Sequence, residues 1–303
     1  MSAIAHQILG LTCESPMHAG GGSKEEVIDL PIQKEAHTNW PCVYGSSMKG
    51  ALRARAETQV AMDNDLITQA FGPTTENASD HAGSLLVSDA RLLLLPVRSL
   101  TSHFKLVTCP ALLTRLLSDL ARIGQAHLLS VPSLHDTRAI SPSCQNRDEI
   151  YLEEFHFSLS DWNDADAWVN LLLELIAPVP GVSRDEQKAD LAKQLVLVDN
   201  DSFRHLCQSA LPVLPHIAID SNTKTVRPGA LWYEENLPAD TVLYSVLGCQ
   251  PSRKEGYKTN ATELLTAVTE QLFSQPYIQI GGNETTGMGW CRVAQPKLTQ
   301  GGQ

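Results

Sequence analysis

The order of the predicted strands and helices constrains the fold of this chain more than any other feature of its sequence. Residues 3–15 alternate roughly between apolar and polar side chains, which is typical of a strand. The stretch 46–61 carries apolar residues at helical spacing, and 84–99 predicts a strand or a hairpin. After a long intervening region, a helix at 260–274 leads into an apolar strand at 277–280. We therefore expect an α+β protein with a split β-α-β-β-α-β order.

The intervening region divides into a helical part and a β-rich part. From about 141 to 212 the sequence is acidic and has helical periodicity, so we interpret it as an inserted, mostly helical region. Residues 216–248 predict a hairpin system with a turn at Asp220–Lys224. The β-α-β-β-α-β order is that of ferredoxin-like and RNA-recognition-motif-like folds. A length of 303 residues allows one elaborated domain or two compact ones.

Composition restricts the cellular compartment and the partners that we expect for this protein. No window of 18 apolar residues predicts a membrane span, and the N-terminus lacks a signal-peptide pattern, so we expect a cytoplasmic protein without a membrane partner. The seven cysteines are scattered and never spaced C-x-x-C, which favours neither a disulfide framework nor a zinc site. A net charge of −11 argues against a nucleic-acid partner. The only charges between Cys42 and Ala56 are cationic, however, which leaves room for one basic face.

The stretch "GGNETTGMGW" places four glycines directly after the apolar strand at 277–280. Gly281, Gly282, Gly287 and Gly289 would allow the backbone to approach a phosphate or a base closely. The alternative is a glycine-rich turn whose residues only require positive φ. No lysine and hydroxyl residue follow as in a P-loop, so a nucleotide-binding loop of that kind is disfavoured.

The stretch "GSSMKGALRAR" predicts a helix start at which Ser46 or Ser47 is the N-cap. Free N–H groups at this end, followed by Lys49 and Arg53, suit phosphate oxygens. The alternative is an ordinary capped helix whose cations are solvated.

Asp29, in "VIDLP", is a candidate catalytic carboxylate. It can accept a proton from a ribose 2′-hydroxyl, hold a divalent ion or orient an in-line attack. The alternative is a turn aspartate ahead of Pro31. Glu25, Glu26 and Glu35 are candidate second carboxylates only if the loop folds back. His18, beside a glycine-rich loop, is a candidate phosphate donor or general acid.

Three stretches together resemble one known family. They are "HAGGGS…VIDLPIQKEAHTNWPCVYGSSMKGALR", "IAIDSNTKTVRPGALWYEENLPADT" and "IQIGGNETTGMGW". The chain resembles the RAMP superfamily of CRISPR-associated proteins, and more narrowly the backbone (Cas seven group) subunit of the type III-B Cmr effector complex. The combination of "DLPIQKEAHT" with "TTGMGW" is the specific part. The resemblance implies a single RAMP domain over 1–303 with a modified RNA-recognition-motif fold, the helical insertion and a protruding β-hairpin thumb.

The resemblance also implies a function. Such subunits stack as a filament along a guide crRNA, together with other Cmr subunits, and their thumbs interrupt guide–target pairing at regular intervals. Asp29 falls where the family has the aspartate that cuts target RNA with a divalent metal, which we expect to be Mg²⁺ or Mn²⁺, so Asp29 is both the catalytic and the metal-binding candidate. The candidate RNA-binding residues are His18, Ser46, Ser47, Lys49, Arg53, Gly281, Gly282, Gly287 and Gly289.

Two other functions within this family are open. In one, the chain is an inert structural subunit that binds the guide, and Asp29 is a turn residue. In the other, it is a stand-alone enzyme that matures the guide by histidine-centred acid–base chemistry, so that His18 matters more than Asp29.

Overall fold

The computed structural model describes residues 4–22, 27–60, 62–74, 80–134, 137–144 and 147–296. The strands are β1 Ala5–Cys13, β2 Cys42–Val43, β3 Leu85–Val87, β4 Ala90–Ser99, β5 Ser102–Thr108, β6 Arg138–Ser141, β7 Glu149–Leu152, β8 Phe155–Asp161, β9 Leu195–Val198, β10 Val213–Ile219, β11 Val226–Glu235, β12 Val242–Cys249, β13 Tyr277–Gln279 and β14 Trp290–Ala294. The helices are α1 Gly45–Ala54, α2 Asn64–Phe71, α3 Pro110–Arg122, α4 Ala165–Leu175, α5 Arg184–Gln194, α6 Asn200–Ser209 and α7 Ala261–Leu272. The chain therefore has an α+β fold.

Local sequence signals account for several helix ends. Pro110 occupies the first turn of α3, where its missing N–H costs no hydrogen bond. Asn260 caps α7 by accepting the N–H of Glu263 at 2.9 Å. Ser183 and Glu186 form a reciprocal capping box at the start of α5. These ends are set by residues within one helical turn.

The start of α1 differs from the prediction. Tyr44 is the N-cap residue and contributes no side-chain cap, so Ser46 and Ser47 lie inside the first turn. The N–H of Gly45 instead donates to the carboxylate of Asp89 at 2.7 Å. The carboxylate of Asp89, 44 positions further along the chain, therefore replaces the predicted serine cap. Beyond Ala54 the helix continues as a π-helical turn over Arg55–Gln59.

A central sheet runs through the whole molecule. Its strands follow the order β13-β14-β1-β12-β4-β5-β9-β6-β8-β7, with β2 and β3 attached to β4 and β12. β1 pairs antiparallel with β14 on one side and with β12 on the other. β12 in turn pairs antiparallel with β4. At the far end, β7 returns to β4 through the pair Ser99–Leu152, so the second half of the sheet closes on itself.

The stretch 141–212 contains more β-structure than predicted. It holds three helices but also β7, β8 and β9, which join the central sheet. The helical pattern predicted for this region includes the apolar run Leu195–Val198, but α5 ends at Gln194 and these four residues form a buried strand. Its parallel pairing with β5 and antiparallel pairing with β6 provides the reason. The predicted mostly helical insertion is therefore corrected to a mixed region.

Two apolar cores lie on opposite faces of the sheet. In β1, Leu9 and Leu11 belong to the core shared with α1, α2 and α7, while Ile8 belongs to the core shared with α3, α4 and α5. This alternation is the period of a strand that is buried on both faces. Among the described residues, no helix is long and apolar enough to span a membrane.

Strands β10 and β11 form a separate two-stranded sheet, as the sequence predicted for this region. The turn at its tip is closed by hydrogen bonds between Asp220 and Thr225 and between Lys224 and Asp220. Much of the hairpin is exposed, including the apolar side chains of Ile217, Ile219 and Leu231. Only its base is buried, where Glu234 and Glu235 enter the body of the protein.

Candidate active site at the hairpin base

Asp29 lies at the base of the β10–β11 hairpin and is fixed there by main-chain contacts. Its Oδ2 accepts the N–H of Tyr233 at 2.8 Å. The next residue, Leu30, donates to Tyr233 O and accepts from Glu235 N, both at 3.0 Å, so the loop runs beside the end of β11 as a short parallel bridge. The half-buried carboxylate is thereby held in one place by a segment about two hundred residues away.

Glu235 ties the same loop to the hairpin from the inside. It is 2% exposed, and its carboxylate accepts from Ile32 N at 3.1 Å and from Lys34 Nζ at 2.6 Å. A buried carboxylate requires such partners, because desolvation of an unpaired charge is costly. The pair Lys34–Glu235 therefore secures the loop that carries Asp29.

His18 connects this base to the glycine-rich loop. Its Nδ1 lies 2.8 Å from Glu235 O, and its carbonyl accepts the N–H of Gly282 at 2.8 Å. A Cβ on Gly281 would lie 2.3 Å from His18 O, and the φ of Gly281 is +88°, so only glycine fits. The close backbone approach predicted for this loop is thus made to the protein's own chain.

Gly287 and Gly289, at the other end of the glycine-rich loop, also have positive φ. A Cβ on Gly289 would lie 2.1 Å from Ile280 O, whereas one on Gly287 would meet nothing within 4 Å. Gly289 is therefore required by packing and Gly287 by backbone conformation.

A second acidic group, which sequence reasoning missed, belongs to the hairpin residue that forms the backbone bridge to Leu30. Glu234 is 4% exposed, and its Oε1 accepts from Asn283 Nδ2 at 2.8 Å. The same oxygen is 4.0 Å from His18 Nδ1 and 3.9 Å from His216 Nε2. His216 in turn stacks on Trp232, with ring centroids 5.5 Å apart. The only sequence signal was the acid pair in "WYEEN", which by itself resembles a solvated strand end.

Gln33 links the start of α1 to this site. Its Nε2 donates to Ser47 Oγ at 2.9 Å and to Gly20 O at 3.0 Å, while its Oε1 accepts the N–H of Tyr44 at 2.6 Å. Ser47 therefore belongs to the same hydrogen-bond network as the His18 and Asp29 loops. Ser46 is exposed on the first turn.

The two predicted cations of α1 have partners within the chain. Lys49 Nζ donates to Leu85 O at 3.2 Å, and burial together with the neighbouring Arg53 charge lowers the pKa of Lys49. Arg53 Nε pairs with Glu57 at 2.8 Å and its Nη1 donates to Pro73 O at 3.3 Å. The structure thus joins His18, Asp29, Ser47 and Gly282 and leaves Lys49 and Arg53 further along the helix.

The donor set for a metal ion at Asp29 is small. The described residues hold no group of three or more His, Cys, Asp or Glu side chains placed to bind a metal. Glu25 and Glu26 lie outside the described residues, and Glu35 is engaged by Arg115. Mg²⁺ commonly binds through one or two carboxylates, substrate phosphates and water. The Asp29 carboxylate, with one oxygen used by Tyr233 N, provides at most one carboxylate ligand to a metal ion.

Sequence comparison identifies the class of protein to which this fold and site belong. The model of the RAMP superfamily matches residues 10–292. The chain therefore belongs to the RAMP superfamily.

Its relatives specify a particular subunit. Over 296 residues the chain is 32% identical to the CRISPR system Cmr endoribonuclease Cmr4 of Pyrococcus furiosus, covering 97% of each protein. It is 25% identical over 292 residues to the CRISPR system CMR subunit Cmr4 of Saccharolobus solfataricus, covering 89% of this chain and 90% of the relative. The crystal structure of oligomeric Cmr4 from P. furiosus superposes with a TM-score of 0.73 at 25% identity, over 98% of this chain and all of the other.

Proposed function

We propose that this chain is the backbone subunit of an RNA-guided type III-B CRISPR complex and that it cleaves the target RNA paired with the guide. The observation that carries the proposal is the attachment of Asp29 to the hairpin base, in a chain 32% identical along almost its whole length to a Cmr endoribonuclease. Its partners are then a guide crRNA, a target RNA, further copies of itself and other Cmr subunits, in the cytoplasm.

The proposed architecture assigns a role to each part of the fold. The antiparallel order β14-β1-β12-β4 with α1 and α7 corresponds to a ferredoxin-like core of the RNA-recognition-motif type. The β10–β11 hairpin, separate from the central sheet and largely exposed beyond its buried base, is the proposed thumb that enters the guide–target duplex. Base pairing selects the target, so the protein needs only backbone and shape contacts.

The proposed mechanism uses the 2′-hydroxyl of the target RNA as the nucleophile. A nucleotide displaced by the hairpin would expose its 2′-hydroxyl to the Asp29 carboxylate, which orients it in line with the adjacent phosphate and accepts its proton. The 2′-oxygen bonds to phosphorus while the P–O5′ bond breaks, which leaves a 2′,3′-cyclic phosphate, and the departing 5′-oxygen takes a proton from water. The N–H of Tyr233 holds the carboxylate in position throughout. A divalent ion, when bound by Asp29 and the phosphate, would stabilise the charge that develops on the phosphate oxygens.

The two alternative functions make different demands on this geometry. A guide-processing enzyme centred on His18 would need an accessible imidazole, but His18 is 9% exposed and its Nδ1 faces Glu235 O. This environment favours a positioning role for His18. An inert subunit would need Asp29 only as a structural residue. The Asp29 carboxylate accepts the main-chain N–H of Tyr233, which is compatible with that role. The cleavage experiment distinguishes the two functions.

Reconstitution tests the proposed activity. The chain is assembled with its companion Cmr subunits and a guide, then incubated with a complementary or a scrambled target RNA. We expect cuts at regular intervals in the complementary RNA alone, loss of cutting on chelation by EDTA, and recovery with Mg²⁺ or Mn²⁺. Cutting that persists with EDTA would contradict the proposed metal requirement. Uncut target RNA in an assembled complex would support the inert alternative.

The proposed RNA path along α1 is tested by Lys49→Met, which keeps the aliphatic stem and removes the charge. We expect weaker guide binding and a salt dependence reduced by about one phosphate contact. Lys254→Met is the matched control, because Lys254 is also a half-buried lysine and its ammonium pairs with Asp65, away from α1. Binding measured over a series of salt concentrations checks this, and an unchanged slope for Lys49→Met would exclude a phosphate contact.

A further inference from the structure

Gln33 is a buried glutamine whose side chain joins the loop of Asp29 to the start of α1. It is 7% exposed. Its Nε2 donates to Gly20 O at 3.0 Å and to Ser47 Oγ at 2.9 Å, and its Oε1 accepts the N–H of Tyr44 at 2.6 Å. Both amide N–H groups and the amide oxygen therefore have partners. This one side chain connects three segments of the protein.

The partners of Gln33 fix the orientation of its amide group. The N–H of Tyr44 can only donate and the carbonyl of Gly20 can only accept, so the amide oxygen faces the first and the amide nitrogen faces the second. The Ser47 hydroxyl must then accept from Gln33, which leaves its own proton for another acceptor. Among the hydrogen bonds that the described residues make, Ser47 Oγ donates none.

The half-buried side chain of Ser47 is thereby presented as a hydrogen-bond donor in the first turn of α1. A phosphate oxygen can only accept, so a hydroxyl in this orientation complements the phosphate of a guide RNA. A hydroxyl that donated to the protein instead would meet the same phosphate with its lone pairs. The direction of the hydrogen bond from Gln33 therefore decides whether Ser47 can bind phosphate.

Segment 29–33 carries Asp29 at one end and Gln33 at the other. Each of its residues makes a hydrogen bond to a residue outside the segment, so the segment contains no loose position. Hydrogen-bond networks of this kind carry a displacement from one place to another, which connects the position of Asp29 to that of Gln33. The bonded pairs are Asp29–Tyr233, Leu30–Tyr233, Leu30–Glu235, Pro31–Gly21, Ile32–Glu235 and Gln33–Ala19.

We propose that Gln33 is a positioning residue that serves guide binding and cutting together. It turns the Ser47 hydroxyl toward the guide phosphate, and it fixes the end of segment 29–33 opposite Asp29. Gln33 contacts neither the RNA nor the reacting groups itself and acts through these two residues. The inference rests on the proposed function and adds to it a physical link between the guide-binding start of α1 and the proposed catalytic aspartate.

Gln33→Glu tests this role with a side chain of nearly the same shape. The carboxylate keeps an oxygen for the N–H of Tyr44 but loses both donors, so the Ser47 hydroxyl turns inward to donate and the carbonyl of Gly20 is repelled. We expect guide binding to be weaker by about tenfold, the factor for one hydrogen bond to a charged group. We also expect cutting to be slower by at least about tenfold at saturating guide and target, because Asp29 is displaced.

Two further variants separate this role from general destabilisation. Gln69→Glu is the matched control, because Gln69 is a glutamine of α2 that is 5% exposed and bonds to Asp65 O and Thr259 Oγ1, outside the candidate site. It should leave guide affinity and cutting unchanged. Ser47→Ala completes a double-mutant cycle. If Gln33 acts through Ser47, adding Gln33→Glu to Ser47→Ala should weaken guide binding no further.

The full-length chain is assembled with its companion Cmr subunits, and guide affinity, single-turnover cutting of a labelled target and thermal melting are measured for each variant. Losses of the expected size with Gln33→Glu but not with Gln69→Glu, together with non-additive binding losses in the cycle, support the inference. Wild-type affinity and cutting in Gln33→Glu, equal losses in Gln69→Glu, or additive losses in the double variant overturn it.

Two further results are also decisive. If Gln33→Glu does not fold, Gln33→Met, which has no donor and buries no charge, takes its place with the same expected losses. A wild-type complex that binds the guide without cutting the target would overturn the proposed function, and the binding cycle of Gln33 and Ser47 would then decide the inference.

Discussion

Asp29→Asn is expected to abolish cleavage of target RNA by the assembled complex while guide and target binding remain unchanged. Asparagine keeps an oxygen that can accept the N–H of Tyr233, so the loop stays attached to the hairpin. What is lost is the negative charge with which Asp29 is proposed to accept a proton and hold a metal. General-base catalysis alone contributes about 10²-fold to 10⁴-fold, so we expect a loss of at least about 10²-fold.

The hairpin provides a matched control for this variant. Asp220 also accepts main-chain N–H groups, from Asn222 and Thr223, but at the exposed tip. Asp220→Asn should leave the cutting rate intact. Rates are measured in single turnover on a labelled target RNA, with assembly followed by size exclusion. Full cutting by Asp29→Asn would refute the catalytic assignment, and failure to assemble would instead support a structural role for Asp29.

Gly10→Val is expected to destabilise the protein more than any other single substitution considered. The new Cβ would lie 1.8 Å from the carbonyl oxygen of Leu175, where neither backbone can yield without displacing α4 from the sheet. Overpacking of a core costs typically 1–3 kcal/mol and occasionally more, and here we expect about 3 kcal/mol or more. For a chain of this size that corresponds to a decrease in Tm of about 5 °C or more.

Gly50→Ala is the opposite case and serves as the control. Gly50 is exposed in the middle of α1, and a Cβ there would meet nothing within 4 Å. Because alanine is the better helix former, we expect a gain of about 0.5–1 kcal/mol. Both variants are compared by thermal unfolding monitored with circular dichroism. A Gly10→Val protein that melts at the wild-type temperature would show that α4 can move at little cost.

The parts of the fold that were predicted correctly depend on local signals. The start of the helix predicted at 260–274 and the Asp220–Lys224 turn are set by residues a few positions away, so a single stretch of sequence reveals them. The incorrect predictions concern segments whose structure is determined by residues far away in the sequence. Asp89 replaces the expected serine cap of α1, and pairing with β5 and β6 converts 195–198 from helix to strand.

The same division applies to the candidate site. The resemblance pointed to Asp29, and the glycine loop was recognised by composition. The contacts that position them could not be predicted, because Tyr233 and Glu235 lie about two hundred residues from their partners. Glu234 was missed for a related reason. An acid in "YEEN" is buried only because His18, His216 and Asn283 surround it in the folded chain.

The hydrogen bond from Gly282 to the carbonyl of His18 has a consequence for the order in which the protein becomes functional. It places the C-terminal glycine loop against the residue that touches the hairpin base near Asp29. During synthesis the ribosome releases the Asp29 loop long before the glycine loop. A nascent or truncated chain that stops before Gly282 therefore lacks one side of the proposed site, and we expect competence to cut only after the glycine loop has been synthesised.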